Sequence, residues 1–137
     1  MIIWTGGPTR VIKGPFTMDF QIAVHWHMAW LKKMLADIQN PSKLKPEEIA
    51  RDDLCEIGKW IHGEAVQYRE LPEYQDLKNI HMELHKATSQ AVVLAQAGKL
   101  SEAKKYLSLH GDFIETSKRL LDSCNRLIKK INQNTSV

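Results

Sequence analysis

Apolar and polar residues alternate along this chain in four stretches with helical spacing. In the first, Phe20, Ala23, Val24, Trp30, Leu31, Met34 and Ile38 follow one another in steps of threes and fours, the mark of one buried helical face. Thr17 is an acceptable N-cap, Asp19 suits the positive end of the helix dipole, and Asn40-Pro41 closes the stretch. His27 falls at the centre of the apolar face, and His25 falls on the polar side. After a connection, Pro46-Glu47-Glu48-Ile49 predicts a short helical turn that starts at proline. Asp52 or Asp53 is then expected to cap a second helix, with Cys55 in its first turn, running through Trp60 and Ile61 to Gly63.

A third helix is predicted from Pro72-Glu73 to about Ala97. Its stripe is Leu77, His81, Leu84, His85, Thr88, Val92 and Ala95, and Glu83 points the other way. Gly98 is a good stop and Ser101 a good cap for the last helix. That helix is read as one element carrying Ala103, Leu107, His110, Ile114, Ser117, Leu121, Cys124, Ile128 and Ile131, with a kink at Gly111. Four amphipathic segments with short connections predict an all-α fold: an antiparallel four-helix bundle with a short extra helical turn in a connection. Residues 17–131 are expected to form it. Residues 1–16, with Gly6-Gly7-Pro8 and Gly14-Pro15, read as an irregular arm, and 132–137 as a polar tail that frays.

Composition narrows the function. The 137 residues suffice for one domain with an ordinary core. The net charge of +3 is spread along the chain. No basic run is interleaved with aromatics, so nucleic acid is not an expected partner. No apolar stretch approaches the ~20 residues of a membrane span. Residues 1–18 lack an apolar core followed by a small-residue cleavage site, so no secretory signal is expected. The expected setting is cytoplasmic, with Cys55 and Cys124 reduced.

The candidate chemistry is a metal site. His81 and His85, at i and i+4, share a helix face and can bind one ion together. His27 would add a third nitrogen and Cys55 a thiolate, giving a His3Cys set that zinc accepts without redox chemistry. All three histidines lie on core-facing stripes, where an unpaired imidazole is costly to desolvate. Taken singly, each has an ordinary explanation. His27 can be a hydrogen-bonded core histidine, Cys55 a small hydrophobe, and the His81–His85 pair a coincidence of spacing. His110 and Cys124 read as core residues, and His25 and His62 as surface residues. Trp26, Trp30 and Trp60 read as core or dimer-interface packing. Asp52 or Asp53, near Cys55, could hydrogen-bond a ligating histidine. The segment His81-Met82-Glu83-Leu84-His85 does not place glutamate where a zinc protease needs it.

The blocks His27-Met28-Ala29-Trp30, Cys55-Glu56-Ile57-Gly58-Lys59-Trp60 and His81-Met82-Glu83-Leu84-His85 resemble the bacterial chemoreceptor zinc-binding (CZB) family. Asp19-Phe20, Arg51-Asp52-Asp53 and Leu71-Pro72-Glu73-Tyr74 resemble its flanks. The likeness covers about residues 17–131, and Ile57 stands where the family has Leu or Phe. It implies zinc held by His27, Cys55, His81 and His85, a homodimer, and a sensory module that is not an enzyme. The module would serve a chemoreceptor in chemotaxis or a diguanylate cyclase making cyclic-di-GMP. The signal would be zinc itself, or hypochlorous acid acting on Cys55. A zinc-bound thiolate at a helix N-terminus is expected to have a depressed pKa. Two other readings compete. A hemerythrin-like di-iron oxygen-binding bundle would need carboxylates that the inner stripes lack, and a metal-free interaction bundle would leave the histidines merely packed.

Overall fold

The computed structural model describes residues 19–110 and 113–135. The arm at 1–16 and the cap expected at Thr17 lie outside the described residues. Six α-helices and no strand occur among those described. Helix α1 spans Phe20–Asp37, α2 Pro46–Ile49, α3 Glu56–His62, α4 Pro72–Gln96, α5 Leu100–His110 and α6 Phe113–Thr135, with 3-10 turns at Pro41–Lys43 and Glu64–Tyr68.

Helix ends follow local chemistry. Asp19 is the N-cap of α1, and its Oδ1 accepts from the Ile22 N–H at 3.1 Å. This satisfies one of the orphan donors of the first turn. Pro46 and Pro72 open α2 and α4, where a missing N–H costs nothing. Gly98, at φ +82°, supplies the left-handed residue after α4. Helix α5 begins at Leu100, so Ser101 lies inside it and is not its cap.

The long helix α4 packs on α2, α3, α5 and α6, while α1 packs on α3 and α6. One apolar cluster joins Ala23, Val24 and Leu31 of α1 to Ile57, Trp60 and Ile61 of α3, Leu77 and Leu84 of α4, and Leu120, Leu127 and Ile131 of α6. A second joins Met34 and Ile38 to Ile49, Ala91, Val92, Ala103 and Leu107. The predicted stripe of α4 is therefore buried throughout, and that of α1 is buried at Ala23, Val24, Leu31, Met34 and Ile38, with Trp30 half-buried. The last helix is described in two parts, α5 and α6; the kink expected at Gly111 lies outside the described residues, and Cys124 and Ile131 of the expected stripe are buried. Leu120, Ser123 and Leu127 are buried, and Leu121 is exposed. Helix α6 also runs on to Thr135, through the start of the expected tail. Trp26 is 62% exposed and so not a core residue, whereas Trp60 is buried.

The connection before α3 is tied to α4 by side chains. Gln96 Nε2 donates to the carbonyls of Pro41 (2.9 Å) and Leu44 (2.7 Å), and Ser89 Oγ donates to that of Pro46 (2.8 Å). The Tyr74 hydroxyl donates to the Ile61 carbonyl at 2.8 Å, holding α3 against the start of α4. These bonds fix the two segments that flank Cys55.

Candidate metal centre

Four side chains from three regions meet in the interior. His27 comes from α1, His81 and His85 from α4, and Cys55 from the residue that caps α3. One ligand atom from each lies within 4.8 Å of all the others. His85 Nε2 is 3.2 Å from both His27 Nε2 and His81 Nε2, and Cys55 Sγ is 3.2 Å from His81 Nε2 and 3.8 Å from His85 Nε2. The three imidazoles are buried and Cys55 is half-buried.

Cys55 sits differently from the expectation. It is itself the N-cap of α3, with Sγ accepting the Gly58 N–H at 3.3 Å, so neither Asp52 nor Asp53 caps this helix. Gly58 has a steric task. A Cβ there would lie 1.8 Å from the Asp52 carbonyl oxygen. Only glycine lets the Asp52–Asp53 backbone cross the first turn of α3 and bring Cys55 round to the histidines.

The partners of the rings fix the chemistry further. The Ile49 carbonyl can only accept, so His85 donates from Nδ1, at 2.9 Å. Burial lowers the pKa of His85, against the opposing effect of that hydrogen bond. A neutral ring with its proton on Nδ1 presents a lone pair at Nε2. His27 Nδ1 and His81 Nδ1 are buried and have no hydrogen-bond partner among the described residues. The polar contacts of these two rings among the described residues are therefore made at Nε2.

Asp52 and Asp53 point elsewhere. Asp53 is bidentate with Arg51 (3.0 and 2.9 Å), and Asp52 Oδ1 is 3.3 Å from His62 Nε2. The expected contact from either carboxylate to a ligating histidine is not among the hydrogen bonds of the described residues. The backbone carbonyl of Ile49 takes that place for His85. It was illegible in the sequence, because a carbonyl carries no side-chain signature.

Electrostatics keep the rings neutral. Burial, and then the repulsion that a protonated His85 would exert, pushes His27 down to about 3. Burial, aided by His85, His27 and His62, pushes His81 down to about 2. Cys55 also departs from expectation. Burial raises its thiol pKa, outweighing the backbone N–H groups of Gly58 and Ile57 at the helix start. The helix terminus alone does not make a thiolate here, so the depressed pKa expected of Cys55 requires a bound cation.

The donor set fits a tetrahedral ion. With Zn–N and Zn–S lengths of about 2.0 and 2.3 Å, tetrahedral edges are about 3.3 Å for N···N and about 3.5 Å for N···S. The two N···N separations of 3.2 Å lie just below the first, the N···S separations of 3.2 and 3.8 Å lie on either side of the second, and the remaining two pairs are within 4.8 Å. Among the described residues this is the group with metal-ligand character, and it includes no carboxylate. A pair of bridged irons would need one. His25 and His62 are exposed, and the His110 side chain lies outside the described residues. Cys124 is buried far from water, its thiol pushed up to about 12.

Residues 27–92 match the model of the chemoreceptor zinc-binding domain, a span that begins at His27 and includes all four converging side chains. No curated protein and no solved structure gives a match.

Proposed function

We propose that residues 27–92, which match the model of the chemoreceptor zinc-binding domain, form with the helices around them a zinc-binding sensory module, not an enzyme. The observation that carries this is the convergence of three Nε2 atoms and one Sγ within 4.8 Å. In this reading His27, Cys55, His81 and His85 are the ligands, and residues 17–131 are one antiparallel four-helix bundle, α5 and α6 together making the fourth member. Zinc would hold Cys55 as its thiolate and tie α1, α3 and α4 together.

The input follows from what the chain does with Cys55. The residue is half-buried, which would leave it open to small oxidants. The thiolate sulfur attacks the chlorine of hypochlorous acid, an S–Cl bond forms and the O–Cl bond breaks with hydroxide leaving; water then displaces chloride from sulfur, giving the sulfenic acid. The sulfenic acid is a poorer ligand. Cys55 then leaves the centre, and the first turn of α3 is free to shift against α4. The readout would be a chemotaxis receptor or a cyclic-di-GMP enzyme in the bacterial cytoplasm. No described helix is long and apolar enough to cross a membrane. Ile22 and Trp26, one turn apart on α1, are 47% and 62% exposed. They give a second copy of the chain a surface to cover, in keeping with a homodimer.

The test is metal content. Tag-free protein is expected to carry one zinc per chain, and C55A and H81A are each expected to lose it to a mild chelator. Purified protein that binds no zinc, or a C55A variant that keeps wild-type affinity, would overturn the reading. An iron content of two per chain would favour the di-iron alternative.

A further inference from the structure

We propose that Trp30 is a positioning residue of the metal centre: its indole fixes the ring plane of His85, the histidine whose tautomer the Ile49 carbonyl sets. This role rests on metal binding by the four residues above. His85 is the hub of the cluster, with its Nε2 within 3.2–3.8 Å of the other three ligand atoms. The hydrogen bond to Ile49 anchors Nδ1. It leaves the ring free to turn about that contact, because the last torsion of histidine is broad and holds no plane by itself. A ligand nitrogen must be held to within roughly 10–20° to keep a tetrahedral site. The missing constraint is a flat partner.

Trp30 supplies it. Its ring is stacked on His85 with centroids 4.8 Å apart and planes 28° apart. The same indole meets His27 edge-on, at 5.4 Å and 60°. Trp30 lies three residues after His27 on α1, so one helix turn delivers both a ligand and the surface that steadies another. The indole is itself held, because it packs against both apolar clusters. Periodicity placed Trp30 in the core or in a dimer interface. Its relation to His85, 55 residues away in the chain, is visible only in three dimensions.

The test compares W30F, which keeps a flat ring, with W30L, which does not. Zinc affinity is read by competition with a chromophoric chelator, and ligand geometry by the visible spectrum of the cobalt(II) form. W30L is expected to bind zinc roughly 10- to 100-fold more weakly and to show an altered cobalt(II) band. W30F is expected to stay within about threefold of the wild type and to keep the band. A residue that merely fills space would lower the melting temperature of the metal-free protein in both variants and leave affinity and spectrum alone. Should W30L lose its helical circular dichroism, W30M takes its place with the same expected loss. Wild-type affinity and spectrum in W30L, or an equal loss in W30F, would overturn the role of Trp30 while zinc binding by the wild type still stands. A wild type that binds neither metal would overturn both.

Discussion

Replacing Gly58 by alanine sets two physical effects against each other. Helix propensity alone favours alanine by about 1 kcal/mol. The structure predicts the opposite sign. The new Cβ would lie 1.8 Å from the Asp52 carbonyl oxygen, 2.7 Å from its carbon and 3.1 Å from Asp53 Cα, all of them backbone atoms. Real Cβ contacts do not fall below 3.0 Å. The Asp52–Asp53 segment must therefore retreat by about 1.2 Å, and overpacking of that kind costs about 1–3 kcal/mol. Cys55 follows this segment with only Leu54 between and accepts the Gly58 N–H, so its Sγ would be drawn off the histidines. G58A should unfold about 3–10 °C below the wild type in metal-free form and bind zinc at least about tenfold more weakly. Circular dichroism melting and chelator competition read the two effects separately. A G58A protein that melts higher than the wild type and binds zinc equally well would refute the steric account of how Cys55 is placed.

Thiol titration should divide the two cysteines: in chelator-treated native protein Cys55 is expected to react and Cys124, pushed up to about 12 by burial, to stay inert until denaturant is added. Two fast thiols in the native protein would contradict this. In the metal-free state, stability should fall on acidification. Burial holds His27 and His81 down to about 3 and about 2, from 6.5. Below about pH 6.5 the unfolded chain therefore binds more protons than the folded one, and stability drops by roughly 1.4 kcal/mol per pH unit for each histidine. Melting of chelated protein should be flat above about pH 7.5 and decline below about 6, and a flat profile across that range would contradict the burial of neutral rings. Zinc at a thousandfold excess over its dissociation constant adds about 4 kcal/mol, so chelation should lower the melting temperature by roughly 10–20 °C; calorimetry with and without chelator checks it.

The parts of this account that the sequence carries are those set by local spacing. The buried stripe of α4, from Leu77 to Ala95, follows from residues repeating every three or four positions, and Pro72 and Gly98 bound it. His27, His81 and His85 could be placed on inner faces by the same arithmetic, and the half-buried Cys55 stood out by its neighbours. The phase of α6 was legible only in part. Of the stripe carried on from Leu107, Cys124 and Ile131 are buried, but Leu121 is exposed and Leu120 and Leu127 are buried in its place. The surroundings of the centre were illegible too. The Ile49 carbonyl, the indole of Trp30 and the crossing of Asp52 over Gly58 are made by segments far apart in sequence. Proximity in the chain pointed instead to Asp52 and Asp53, whose carboxylates are taken by His62 and Arg51.

X-ray absorption at the zinc edge, on protein purified without a histidine tag, tests the convergence of these four side chains most directly. The account predicts a four-coordinate zinc with three nitrogen neighbours at about 2.0 Å and one sulfur at about 2.3 Å. It also predicts that the sulfur shell vanishes in C55S. A first shell of light atoms alone in the wild-type protein, or a sulfur shell that survives in C55S, would contradict it.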